Sequence, residues 1–356
     1  MQRIVLLMLL LCPAGVVAQT EVMVGVTRGK EYGVTYVLPK TEIRLTVRAT
    51  KHSYIPGEFA KYAERYLRLE DVSSEPENYW TLDEVQTTML GVPDRERVYF
   101  VKLKDKTVAP LMELTADGIV RSINRPLETA SSKEPAVLPP AATVPPADVD
   151  PRGFLTEEIL LANSTAKMAD LIAKEIYAIR ESKNALTRGE ADNLPKDGTQ
   201  LKLMLDNLTV QERALTEMFA GKRSTEEKVY TFEITPREVD RLVAFRFSKK
   251  LGVVEADDLS GEPVLITITD LKSLTIPPEV PVDPKKALDG IAYNVPGRAR
   301  ISVAYRGEEI YKAEVPVTQF GLVEYLAPVL FNKNSTTQVL FDTQTGGLLK
   351  VDRSAQ

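Results

Sequence analysis

The clearest pattern in the chain is a strict alternation over residues 41–54. Ile43, Leu45, Val47 and Ala49 interleave with Glu42, Arg44, Thr46 and Arg48. A period of two turns one set toward a core and the other toward water, so the spacing predicts a half-buried β-strand. Residues 22–27, 33–38 and 97–103 carry similar patterns and predict further strands. Residues 58–69 break the alternation, with Phe59, Tyr62, Tyr66 and Leu69 on one side of a helical wheel and Lys61, Glu64, Arg65 and Arg68 on the other.

From residue 154 the period lengthens. Over residues 165–186, Ala169, Ile172, Ala173, Ile176 and Ile179 recur at three- and four-residue steps, and Lys167, Lys174, Glu175, Arg180 and Lys183 fall elsewhere. That predicts an amphipathic helix ended by Gly189 and Pro195. A second helical run starts near residues 197–199 and carries Leu201, Met204, Leu205 and Leu208. Thr209 and Glu212 have the spacing of a reciprocal N-terminal cap, which predicts a fresh helix start there, and Gly221 is a suitable stop. Alternation returns at residues 228–234 and 243–248, and further strand candidates are 264–269, 299–305, 309–315, 338–341 and 348–351. The turn-rich residues 342–347 join the last two as a hairpin. Many short strands without interleaved helices favour antiparallel pairing. The expected class is α+β, mainly β: antiparallel sandwich or barrel-like N- and C-terminal parts flanking a helical insert.

Proline punctuates this layout. Six prolines between Pro135 and Pro151 disfavour helix and deny a sheet its donors, so the stretch reads as an extended linker. The expected organisation is an N-terminal β-rich domain over 19–134, a Pro-rich linker over 135–153, a helical region over 154–222 and a C-terminal β-rich domain over 223–356. Residues 277–284 form a second, shorter Pro-rich stretch that either crosses one domain's surface or separates two.

Residues 1–18 lie outside that scheme. They place Arg3 before an apolar run from Ile4 to Leu11, then Pro13, Gly15 and the small-residue end at Ala18. This is the order of a secretory signal peptide, with cleavage expected after Ala18. The run is too short to span a bilayer as a helix. Cys12 suggests a lipoprotein signal, but Leu11 is too bulky for the residue before a lipidated cysteine. With Cys12 removed, the mature chain has no thiol, because it is the only cysteine. A net charge of -5 and a pI of about 5.4 exclude broad electrostatic binding to nucleic acid or anionic membrane.

Four short stretches carry a resemblance through their order along the chain: Tyr36-Val37-Leu38-Pro39-Lys40-Thr41, Ile176-Tyr177-Ala178-Ile179-Arg180-Glu181, Leu194-Pro195-Lys196-Asp197-Gly198 and Val295-Pro296-Gly297-Arg298-Ala299. Together they resemble an uncharacterised family, a domain of unknown function, of exported proteins from Gram-negative anaerobic bacteria. The resemblance extends over nearly all the mature chain and implies secretion. It supplies no activity and no catalytic residue.

Candidate chemistry is sparse. His52 is the only histidine, which removes most imidazole-based nucleophile pairs and most metal ligand sets. Nucleophile-elbow, zinc-protease, dinucleotide and phosphate-loop motifs are missing from the sequence. Residues 148–153 lack the oxygen ligands of a calcium loop, since Arg152 takes one ligand position. A glycosidase carboxylate pair has no diagnostic spacing, so none is named. Tyr79 and Trp80, in Asn78-Tyr79-Trp80-Thr81-Leu82 after a polar turn, are the candidate contacts for a ligand or partner. No cofactor and no metal are expected. The reading is an exported non-catalytic envelope protein, periplasmic or outer-membrane associated, that binds a protein partner. The alternative is a secreted glycan-binding or glycan-cleaving protein that uses loop aromatics and a carboxylate pair.

Overall fold

The computed structural model describes residues 21–24, 33–102, 112–125, 149–191, 195, 197–275, 290–327, 330 and 335–355. The protein is mainly β. The strands are β1 (Glu21–Val24), β2 (Gly33–Ile55), β3 (Glu77–Lys102), β4 (Met112–Leu114), β5 (Val120–Ile123), β6 (Lys222–Ile234), β7 (Val239–Ser248), β8 (Gly252–Val254), β9 (Glu262–Asp270), β10 (Ile291–Tyr305), β11 (Glu308–Leu326), β12 (Ser335–Phe341) and β13 (Leu348–Ala355). They form three antiparallel sheets, ordered β1-β3-β2-β6, β11-β10-β9-β7-β8 and β13-β12-β5-β4. The helices are α1 (Ala63–Leu67), α2 (Glu157–Leu160), α3 (Thr165–Arg188) and α4 (Gly198–Ala220).

β2 merges the two strands expected at 33–38 and 41–54. Its register with β3 runs from Gly33 opposite Lys102 to Tyr54 opposite Glu77. The register slips between Val37 and Pro39, where β3 passes from Val98 to Pro93. At the same place the buried positions of β2 change from Tyr36 and Leu38 to Thr41, Ile43, Leu45, Val47 and Ala49. Side chains alternate across a strand, so this change of parity directs one strand into two cores.

In the first core, Ile43, Leu45, Val47 and Ala49 of β2 meet Phe245, Ile266, Ile301 and Val303 of the five-stranded sheet, the inner faces of a sandwich. In the second, Tyr36 and Leu38 pack with Tyr99, Ile123, Ile291, Leu326, Val339 and Phe341. Here the Tyr36 hydroxyl accepts from the Ala292 amide at 2.8 Å and donates to the Ala292 carbonyl at 3.3 Å, tying β2 to β10. Burial pushes the Tyr36 phenol above the ordinary tyrosine range. Between the cores, the Thr41 amide donates to Thr318 Oγ1 and the Thr318 amide donates to Thr41 Oγ1, at 2.9 and 3.1 Å, joining β2 to β11.

The strands do not divide at the linker. β6, which follows the helical region, pairs with β2 along residues 43–55, and β12 pairs with β5. Of the Pro-rich stretch 135–153, residues 135–148 lie outside the described residues and residues 151–154 form a 3₁₀ turn. Residues 1–18 also lie outside them.

The helices form a third core, with Ile172, Ile176 and Ile179 of α3 against Leu215, Met218 and Phe219 of α4 and Phe59 before α1. Ser164 Oγ accepts from the Lys167 amide at the start of α3, and Gly189 closes it in the left-handed region at φ 77°. Asp197 caps α4 by accepting from the Thr199 amide. The expected helix start at Thr209 is corrected: α4 runs unbroken through it. Inside a continuous helix the amides at 209–212 are already paired, so a cap has no free donor to satisfy. Thr209 Oγ1 instead donates back to the Leu205 carbonyl, and Glu212 reaches Arg180 at 2.6 Å and Lys183 at 2.9 Å on α3.

Two predictions follow from these contacts. Tyr36→Phe leaves the buried Ala292 amide and carbonyl without their side-chain partner and is expected to cost about 1–3 kcal/mol in urea unfolding. For Glu212, burial acts to raise the carboxyl, but the hydrogen bonds from Arg180 and Lys183 outweigh it and hold the group below the usual carboxylate range. A depressed folded value means that the stabilisation is present above the unfolded carboxylate range and is lost as pH falls through the folded value. The thermal midpoint of wild type should therefore fall more steeply with acidification than that of Glu212→Gln; parallel acid profiles would refute the assignment.

Candidate functional site

Tyr79 and Trp80 lie at the start of β3, just after the turn at residues 73–76, and successive positions of a strand face opposite ways. Trp80 is 8% exposed and belongs to the first core. A Cβ at Gly252 would stand 2.9 Å from the indole, and the Gly252 φ of +84° independently requires glycine there. Lys228 Nζ sits 5.6 Å from the Trp80 ring centroid, and the Trp80 amide donates to the Lys249 carbonyl at 2.7 Å. Tyr79, half-buried on the other face, stacks on His52 with centroids 4.7 Å apart and 13° between planes. His52 Nε2 is 3.0 Å from Thr81 Oγ1, which donates to Asp83 at 2.7 Å, while Thr50 Oγ1 donates to the second Asp83 oxygen at 2.6 Å. The Thr81 hydroxyl thus lies between the imidazole and the Asp83 carboxylate, which ties His52 into a cross-strand network of Thr50, Thr81 and Asp83. No cluster of three or more metal-ligating side chains occurs among the described residues.

A different cleft, of about 490 Å³, opens where the second core meets the C-terminal hairpin. Its geometry starts with the turn at residues 342–347. The Asp342 carboxylate accepts from the Gln344 amide at 3.0 Å and the Thr345 hydroxyl at 2.8 Å, and the Asp342 amide donates to the Gly347 carbonyl. Asn294 on β10 clamps this turn to β2, with Nδ2 donating to the Pro39 carbonyl at 2.8 Å and the Thr345 carbonyl at 2.7 Å. Gly346 admits the close approach, since a Cβ there would lie 2.7 Å from Pro39 Cδ.

The clamped turn fixes where β13 begins. Its first residues, Leu348 and Leu349, remain 37% and 62% exposed, large apolar side chains at a cleft mouth. The facing wall holds Tyr293, Val295 and Pro296 of β10 with Pro316 and Glu324 of β11. The Tyr293 hydroxyl donates to Glu324 Oε2 at 2.9 Å; burial, reinforced by that carboxylate, pushes the phenol up to about 12. The charged side chains of the lining are Glu324 and Asp342, both negative, and neither forms an ion pair with a described residue. Among the described residues, β13 hydrogen-bonds with β12 on one side and ends its sheet on the other. The cleft therefore combines apolar walls, negative charge and the outer edge of a strand.

Two other surfaces compare less well. A cleft of about 640 Å³ beside β3 is lined by Lys40, Arg95 and Arg97 together with Glu42, Asp94 and Glu96, so its charges balance and select no sign. Near the start of α4, Leu203 and Met204 are exposed on a single helix. Sequence reasoning missed Tyr293, Glu324, Leu348 and Leu349. One signal was available: apolar residues at 348, 349 and 351 break the period of two, which marks a strand apolar on both faces.

Trp80 offers a direct check on this placement, because it is the only tryptophan. Its emission should be blue-shifted in the folded protein and move to the red in urea; a solvent-like maximum in native buffer would contradict burial against Gly252.

The sequence model of a domain of unknown function, DUF4831, matches residues 32–349. Neither a curated protein sequence nor a solved structure matches the chain. With the match running from the start of β2 to the start of β13, the chain belongs to the DUF4831 family, whose domain has no assigned function.

Proposed function

We propose that the protein is an exported, non-catalytic module of the cell envelope, periplasmic or outer-membrane associated, that binds a protein partner. The order of charge, apolar run and small residues in residues 1–18 supports export. No helix among the described residues is long and apolar enough to cross a membrane.

The observation that carries the binding reading is the cleft beside β13. An outer strand presents backbone donors and acceptors that the sheet leaves unpaired, and neighbouring exposed leucines supply apolar area for a partner to cover. A rigid base raises the value of such a surface, because little ordering entropy is lost when the partner docks. Asn294 and Asp342 provide that base by fixing the hairpin turn. The glycan alternative has less support: Trp80, the aromatic side chain best suited to stacking on a sugar, is committed to the first core.

Cross-linking in the native envelope, followed by affinity purification and mass spectrometry, tests the reading. The expected result is one reproducible envelope protein, cross-linked near β13 and lost on Leu349→Asp, with the purified chain beginning at Gln19. Recovery of the protein alone and monomeric would overturn the partner reading.

A further inference from the structure

Resting on the partner reading, we propose that the occupant of the β13 cleft is an extended, apolar segment of the partner that carries lysine or arginine, with its cations at Glu324 and Asp342. Charge complementarity is the first argument. Among the described residues, Glu324 and Asp342 are the charged ones that line the cleft, and both are acceptors at neutral pH. The Tyr293 hydroxyl occupies one Glu324 oxygen, and the Asp342 oxygens receive the Gln344 amide and the Thr345 hydroxyl. These contacts orient both carboxylates without neutralising them. An ammonium or guanidinium group gains attraction there, whereas an acidic segment meets like charge from both ends.

The second argument concerns shape. Leu348, Leu349, Val295, Pro296 and Pro316 form the apolar lining, which rewards side chains rather than a solvated ion. Among the described residues β13 is an outer strand, so a segment in extended conformation can hydrogen-bond to its outer side while alternate side chains enter the cleft.

The other long outer strands differ in ways that discourage such pairing. β11 contains Pro316, which has no amide to offer, and β6 opens with Lys222, Arg223, Glu226, Glu227 and Lys228, all exposed. Proline and dense charge on an outer strand are the usual guards against addition of a further strand. β13 carries charge only further along, at Lys350, Asp352 and Arg353, with Lys350 and Asp352 paired to each other, and it opens beside the cleft with two exposed leucines.

The test uses the full mature protein and two labelled peptides, one alternating leucine with lysine and the other leucine with glutamate, followed by fluorescence anisotropy. The leucine–lysine peptide is expected to bind and the leucine–glutamate peptide is not. Glu324→Gln should weaken binding about two- to fivefold, the range for a partly exposed charge pair. Leu349→Ser should weaken it further, and Leu203→Ser on α4 should leave it unchanged. Glu324 and Leu349 are both exposed, so these variants should keep the wild-type melting midpoint. Equal binding of the two peptides, binding of neither, or affinity indifferent to both Glu324→Gln and Leu349→Ser would overturn the inference. Failure of the partner reading has a different signature. An envelope partner that cross-links away from β13, with no peptide bound, sinks this inference alone. Selective peptide binding with no envelope partner recovered sinks the partner reading and leaves the cleft's chemistry standing.

Discussion

The fold depends on β2 burying alternate side chains along most of its length while serving two different cores. Its second half supplies Ile43, Leu45, Val47 and Ala49 to the sandwich, and its first half supplies Tyr36 and Leu38 to the core shared with β10 and β12. All three sheets attach to it. β3 and β6 flank it, Tyr36 and Thr41 bond to the five-stranded sheet, and the Val37 amide donates to the Gly118 carbonyl beside β5 at 2.9 Å. A strand with a single uniform parity would send all its apolar side chains the same way. The irregularity between Val37 and Pro39 is therefore what lets one strand hold two cores together.

The cleft beside β13 inherits its rigidity from the same spine. Pro39, next to the irregularity, offers its carbonyl to Asn294, and Asn294 holds the turn from which β13 departs. The helices, by contrast, bond to β2 at its end. Tyr54 donates to the Ala220 carbonyl at 3.2 Å, and the third core is built almost entirely from helical residues. The α3–α4 pair is held by its own apolar stripe and by Glu212, which bridges to Arg180 and Lys183. Its longer-range polar contacts run to the α1 segment, where the Tyr177 hydroxyl donates to the Tyr66 carbonyl and the Tyr66 hydroxyl to the Ala166 carbonyl, whereas those of β2 reach residues 292 and 318.

Much of the secondary structure was legible because it is written locally. The alternation at 41–54 and the three- and four-residue spacing at 165–186 both correspond to elements at those positions. The capping spacing at Thr209 misled, because the same residues serve a continuous helix when Glu212 has cations across the hairpin. Asn78 to Leu82 looked like the edge of a loop after a polar turn, yet it starts β3, whose pairing with residues 49–53 lies nearly thirty positions earlier in the chain. The candidate site was barely legible. Tyr79 and Trp80 stood out for their chemistry, while Tyr293, Glu324 and Leu349 are ordinary residues that gain meaning only by meeting at the cleft.

The sequence by itself determined the class of the protein: antiparallel strands, an amphipathic helical pair, and a composition with one histidine and one cysteine that leaves little material for nucleophilic or metal chemistry. Those properties follow from residue type and short-range periodicity. Which strands share a sheet, which face of Trp80 is covered, and where two carboxylates meet a row of leucines were decided by the tertiary structure alone. They depend on contacts between residues hundreds of positions apart, such as Tyr36 with Ala292 and Thr41 with Thr318, and no local pattern records such a pairing.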